Sequence, residues 1–239
     1  MLLFYIRHGD PIYEPDSLTP LGVRQAEAVA KRLALYGLDQ IYASSSERAK
    51  QTAQPTCEIL KKEMTVLDWC NEHYAAQEFF YPHPDGYRTW CFNVPYLREV
   101  FNSREIKQLG DEWYTHPVFA DTKFAEGIAR IRIEKDLFLE SLGYVHDAEK
   151  GGYRVEKNNK QRVALFAHQG FGLLFLSLLL DIPYPTFCTH FDMSHSGMTV
   201  IEFPEQESGI VFPRVLQLSN DSHLYREGLP TKYNNRLRF

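Results

Sequence analysis

Five apolar residues in a row, Leu2 to Ile6, run without a polar interruption into Arg7, His8 and Gly9. A strand with one wet face alternates, whereas an unbroken apolar run of this length suits the middle of a parallel sheet covered on both sides. Ligands of such sheets collect beyond the carboxyl ends of the strands. What stands there is therefore informative. Arg7 offers a fixed fork of donors, His8 a nitrogen that titrates near neutrality, and Gly9 a backbone that can pass close to a bound group. Arg162 to Ala167 repeats the arrangement, and His168, Gln169 and Gly170 close it.

The order of elements between and around these strands sets the fold class. Thr19 and Pro20 announce a helix, with Thr19 as N-cap and Pro20 at the first helical position, where its missing N–H costs nothing. Ala26, Val29, Ala30 and Leu33 carry the helix to Tyr36, and Gly37 suits its end. Leu38 to Ala43 reads as a strand, Ser44 to Ser46 as a cap region and Ala49 to Lys62 as a helix in which Pro55 predicts a kink or a late start. Thr65 to Leu67 follows as a third strand. Strand, helix, strand, helix, strand implies an α/β fold: three layers, α/β/α, around a mostly parallel central sheet with right-handed crossovers. Arg7 and Arg48 then both stand beyond strand tips on one sheet edge, where two guanidiniums can converge on a single anion.

From Asn71 to Thr122 the character changes. Twelve aromatic residues interleave with Pro82, Pro84, Pro95 and Pro117, and no single period dominates. Residues 73–122 are expected to form a lid insertion over the carboxyl edge within one domain spanning residues 1–239, most of the aromatics serving as the insertion's own core. Arg88, Arg98 and Arg104 are its candidates for reaching a second anionic group. Beyond it, Lys123 to Leu142 returns to helical spacing through Ile128, Ile131, Leu137, Phe138 and Leu142. Asp147 to Lys160 reads as a surface loop or hairpin, Phe171 to Leu180 as a helix, and Met198 to Phe203 and Phe212 to Leu218 as strands. Ser219 to Phe239 is expected to drape over the surface.

Composition narrows the function classes. The formal net charge is −5 and no basic stripe is present, which argues against a nucleic-acid partner. No apolar run reaches the ~18 to 20 residues of a membrane span. The amino terminus lacks a signal-peptide pattern, so the cytoplasm is the expected location. Cys57, Cys70, Cys91 and Cys188 are widely spaced and are expected to be reduced thiols. His190, Asp192 and His195 fit no helical ligand face, so that stretch reads as a loop leading into a strand rather than a zinc site.

Two strand-end histidines and two arginines facing one edge make a pocket for a phosphoryl dianion, with the arginines on its oxygens and an imidazole free to attack phosphorus. Arg7-His8-Gly9, Leu18-Thr19-Pro20-Leu21-Gly22 with Gln25-Ala26, Ser44-Ser45 with Glu47-Arg48-Ala49, and Ala167-His168-Gln169-Gly170 together resemble the histidine phosphatase superfamily, the phosphoglycerate-mutase-like proteins. The resemblance implies that His8 is the nucleophile, that Arg7 and Arg48 bind the phosphoryl group, and that His168 contacts its oxygens. Glu72 matches the proton donor, with Glu78 the runner-up. Gln169 would add a backbone donor and, with Glu14 and Thr19, forms the expected substrate-binding set. An attacking His8 needs its other nitrogen held as a donor, most simply by a backbone carbonyl. The acid must be neutral when substrate is bound, a state that a nearby dianion favours.

The chain departs from the mutase pattern at Glu14, where an asparagine is usual, at His73, where an arginine is usual, and at Ala75. These changes favour a phosphatase acting on a small-molecule phosphate ester, without metal or other cofactor. A phosphoglycerate mutase and a catalytically silent phospho-ligand binder are the alternatives.

Overall fold

The computed structural model describes residues 1–235. Its centre is a six-stranded sheet whose strands are, in chain order, β1 (Leu2–Arg7), β2 (Gln40–Ser44), β3 (Met64–Leu67), β4 (Arg162–Ala167), β5 (Met198–Glu202) and β6 (Arg214–Asn220), arranged β6-β5-β1-β4-β2-β3. β1 pairs in parallel with β4, β4 with β2 and β2 with β3, while β5 runs antiparallel to both β1 and β6. The sheet is therefore mostly parallel, as the alternation of elements requires.

The unbroken apolar runs find their reason in the two covered faces. Leu3 and Tyr5 of β1 join Val163 and Leu165 of β4 on one face, whereas Phe4 and Ile6 join Ala164 and Phe166 on the other. The second face is covered by α1 (Pro20–Tyr36) and α2 (Glu47–Leu60) through Val29, Leu33, Ala53 and Cys57. The first lies under α4 (Phe124–Ser141) and α5 (Gln169–Leu179) through Ile128, Ile131, Phe171 and Phe175. Strand side chains alternate between faces, so burial on both requires every position to be apolar. No helix among the described residues is long and apolar enough to cross a membrane.

The aromatic segment opens with α3 (Glu72–Phe79), continues through a short hairpin, Phe80–Pro82 with Arg88–Trp90, and then through short helical turns. Phe101, Trp113, Phe119 and Phe124 pack ring on ring with centroids 5.3 to 5.7 Å apart and merge with the core below. Most of these rings thus serve packing, as expected of them.

Several boundaries differ from the sequence expectation. α2 starts at Glu47 and runs through Pro55 to Leu60, so the proline delays nothing. α5 begins at Gln169, because His168 takes the N-cap position. β6 begins after Pro213, whose missing donor keeps Phe212 out of the ladder. In α4 the buried stripe is Ile128, Ile131, Phe138 and Leu139, while Leu137 is 57% exposed. Residue 137 lies about 100° around the helix from 138, which turns it outward.

The loop from β1 to α1 is closed by contact between two glycines. A Cβ on Gly9 would stand 2.6 Å from the Gly22 carbonyl oxygen, and one on Gly22 would stand 2.2 Å from that of Asp10. Both restrictions are steric. Gly22→Ala is expected to cost about 1–3 kcal/mol, a fall of roughly 2–12 °C in Tm by scanning calorimetry; an unchanged Tm would show that the loop yields without penalty.

Candidate active site

The register of β1 on β4 sets Arg7 opposite Ala167, so the residues that follow each strand emerge side by side. The His8 amide donates to Ala167 O at 2.9 Å, and the Ser196 amide donates to His8 O at 3.1 Å. On the neighbouring strand tip, the Tyr5 hydroxyl donates to His168 O at 2.6 Å and accepts from the His168 amide at 3.2 Å. The two imidazoles face each other edge to face with centroids 5.3 Å apart.

The His8 Nδ1 lies 2.7 Å from Gly9 O. A carbonyl oxygen can only accept, so Nδ1 carries the proton and Nε2 holds the lone pair. Burial, then the charges of His168, Arg7 and Arg48, push the His8 pKa well below its ordinary value. Near neutral pH the imidazole is thus uncharged and in the tautomer that a nucleophile needs. His168 is fully buried and shifted in the same direction, first by burial and then by Arg48 and Arg7. Its Nε2 meets Ser44 Oγ at 2.8 Å and Ser46 Oγ at 3.3 Å.

The two guanidiniums close the sides. Arg7, fully buried, donates from Nη1 to Met193 O and from Nη2 to Asn234 Oδ1 at 2.6 Å. Arg48, in the first turn of α2, donates to Asp16 Oδ1 at 2.8 Å and to Glu72 Oε2 at 3.1 Å. Glu72 opens α3 behind the N-cap Asn71, and its Oε1 accepts from the Gly170 amide at 2.9 Å. Its other oxygen lies 3.6 Å from His168 Nδ1. Nitrogen atoms of His8 and His168 and a carboxylate oxygen of Glu72 all lie within 4.8 Å of one another. Arg7 Nε, Arg48 Nε and His168 Nδ1 are buried and unpartnered. These orphaned nitrogens, two of them cationic donors, suit an oxyanion that accepts from them.

Not every expected residue reaches this point. Glu78 is held by Arg130 in a fork of two 2.7 Å bonds, which leaves Glu72 as the carboxylate at the site. Thr19 caps α1 by accepting from the Gly22 amide at 3.0 Å and donates to Asp10 Oδ2 at 2.8 Å; it does not line the cleft. Glu14 is exposed in the turn between Pro11–Tyr13 and Asp16–Leu18, and the return strand brings Asp16 into the cleft instead. The Gln169 side chain turns into an adjoining cavity, bonded to Asp192 and to Asn234. Arg88 donates to Phe80 O, Arg98 lines that adjoining cavity and Arg104 is exposed, so none of the three enters the cleft.

Two residues reach the site unannounced. His195 stacks on His8 with centroids 6.0 Å apart, its Nδ1 3.2 Å from Asp10 Oδ1 and its Nε2 donating to Asn234 Oδ1 at 3.0 Å. Burial, then Arg7, pushes its pKa down to about 3. The signal lay in topology: β5 runs antiparallel to β1, so its amino end, where His195 stands, lies beside the carboxyl end of β1. Asn234 belongs to the tail expected to drape over the surface; it instead bridges Arg7, His195 and Gln169. Residues 236–239 of that tail lie outside the described residues.

The profile of the histidine phosphatase superfamily (branch 1) matches residues 3–77, the stretch holding His8, Arg7, Arg48 and Glu72. No curated protein sequence matches the chain. Among solved structures, phosphoserine phosphatase from Entamoeba histolytica in complex with 3-phosphoglyceric acid is 19% identical, with 93% of this chain and 98% of that one covered at a TM-score of 0.57. A mycobacterial glucosyl-3-phosphoglycerate phosphatase is 18% identical over 91% and 98% at 0.56. The α-ribazole phosphatase from Shigella flexneri is 19% identical over 92% and 97% at 0.56. At such identities the structures speak for the fold, and the sequence match over the first two strand tips for the family. Over residues 3–77 the chain is thus similar to the histidine phosphatase superfamily, and over nine-tenths of its length it shares the fold of these phosphatases.

Proposed function

We propose that the chain is a phosphomonoesterase that works through a phosphohistidine on His8. The observation that carries this reading is the 2.7 Å bond from His8 Nδ1 to Gly9 O, which reserves the Nε2 lone pair beside Glu72 and His168. In the first step that lone pair attacks phosphorus, the phosphorus–oxygen ester bond breaks, and the leaving alkoxide takes a proton from Glu72. In the second, water attacks the phosphohistidine, Glu72 takes the water's proton, and the nitrogen–phosphorus bond breaks to release inorganic phosphate. Arg7, Arg48 and His168 hold the non-bridging oxygens through both steps. A dianion that takes over Arg48 also draws it away from Glu72 Oε2, freeing that oxygen to meet the leaving group. Residues 73–122 act as the roof of the site. The three similar structures named above are all phosphatases, on three different substrates, which supports the reaction class and leaves the substrate open.

His8→Ala is expected to lower kcat on p-nitrophenyl phosphate by about 10³-fold or more, with wild-type turnover insensitive to chelator. A variant as active as wild type, or activity lost to chelator, would refute the covalent, metal-independent route.

Glu72→Gln separates acid catalysis from binding. On an alkyl phosphate, whose leaving oxygen needs a proton, kcat should fall by about 10²- to 10⁴-fold, and by much less on p-nitrophenyl phosphate, whose leaving group does not. Equal losses on both would remove Glu72 from the role of acid.

The depressed basicity of His8 gives a titration test. A group whose folded pKa lies below its free value stays neutral as pH falls through about 6.5, and protonates only well below it. Carbon-13 chemical shifts of the His8 ring should therefore stay flat through about pH 6.5; a midpoint at or above that pH would contradict the assigned state.

A further inference from the structure

Beside the reacting groups lies a cleft of about 480 Å³ where the alcohol portion of a phosphate ester would sit. Its walls have a definite chemistry. Its apolar lining is Ala76, Phe80 and Trp90, with the ring of Tyr13 also lining the cleft. Trp90 is held in place: its indole lies so close to Gly170 that a Cβ there would stand 2.2 Å from the ring. It also stacks on Phe92 at 5.6 Å and meets Phe80 edge to face at 5.2 Å. Because the Gly170 amide donates to Glu72, this fixed ring adjoins the carboxyl assigned to the leaving oxygen.

The charges of the cleft point the same way. Among the described residues, Arg48 is the one guanidinium or ammonium that lines it, and both its terminal nitrogens are taken, by Asp16 and by Glu72. His73, which also lines it, shares its Nε2 with the Gln77 amide at 2.8 Å. With Arg48 engaged by the phosphoryl group and Glu72 serving as the protonated acid, a carboxylate or second phosphate on the leaving group would face Asp16 with no guanidinium left to it, a juxtaposition that costs affinity. A cationic group would find Asp16 paired with Arg48 Nη1 and no second carboxylate to hold it. Resting on the phosphatase reading, we infer that the substrate is the phosphate monoester of an uncharged alcohol carrying a flat apolar ring, and that Trp90 is the residue that selects it.

The test compares three alkyl phosphates with the full chain: 2-phenylethyl phosphate, glycerol 1-phosphate and 3-phosphoglycerate. The first two release alkoxides of similar basicity, so their difference reports the cleft rather than the chemistry. The ester with a ring should be turned over with kcat/KM about tenfold above glycerol phosphate, and 3-phosphoglycerate should be the poorest. Trp90→Ala should lower the ratio of the first two about tenfold, and Trp90→Phe, which keeps a ring, should retain most of it. Preference for 3-phosphoglycerate, equal rates on the two neutral esters, or a ratio unmoved in both Trp90 variants overturns the inference while leaving the hydrolase intact. Turnover of none of the three, nor of p-nitrophenyl phosphate, removes the hydrolase reading and the inference with it.

Discussion

Everything at the site depends on the pairing of β1 with β4. Two strands 160 residues apart in the chain lie in parallel, with Leu2 opposite Arg162 and Arg7 opposite Ala167, and this register alone sets His8 beside His168. Strand side chains alternate faces, so a slip of one residue would bury Arg7 and His8 in the wrong layers and pull the imidazoles apart. What prevents the slip is packing on both faces at once, Leu3 and Tyr5 against one set of helices and Phe4 and Ile6 against the other. The Tyr5 hydroxyl links the two layers of this argument. It belongs to the core by burial and to the site by its bonds to the His168 backbone.

Electrostatics at the site follows from the same burial. The strand tips carry polar groups into a largely buried region, where an unpaired cation is costly. Arg48 is accordingly matched by Asp16 and Glu72, and the imidazoles remain uncharged. A nucleophile needs a lone pair and an acid needs a proton to give. The interior enforces the first at His8 through the Gly9 carbonyl, and the Glu72 carboxyl is held beside it at α3's first turn by the Gly170 amide and Arg48.

The elements and the polar residues at their strand tips were legible in the sequence because the signals for them are local. Unbroken apolar runs, the Thr19–Pro20 cap and the serine run before Arg48 each act within a few residues, and α1 spans the expected Pro20 to Tyr36. His195, Asp16 and Asn234 were not legible, because their places depend on strand direction, on hairpin phase and on a tail contact. Glu14 and Asp16 are two residues apart in a hairpin, and nothing local says which of them turns inward. Arg88, Arg98 and Arg104 show the converse: a cation next to a site in sequence need not face it when the segment carrying it is oriented by aromatic rings packed into the core below.

The Asn234 carboxamide on Arg7 changes what it means for a ligand to bind. Both terminal nitrogens of Arg7 already have acceptors, Met193 O and Asn234 Oδ1. An oxyanion that takes Nη1 or Nη2 thus exchanges partners there, whereas the unpartnered Nε offers it a donor without exchange. At the terminal nitrogens such an exchange favours full anionic charge over weak, neutral acceptors, so the tail residue sets a threshold for any group that would take Nη2.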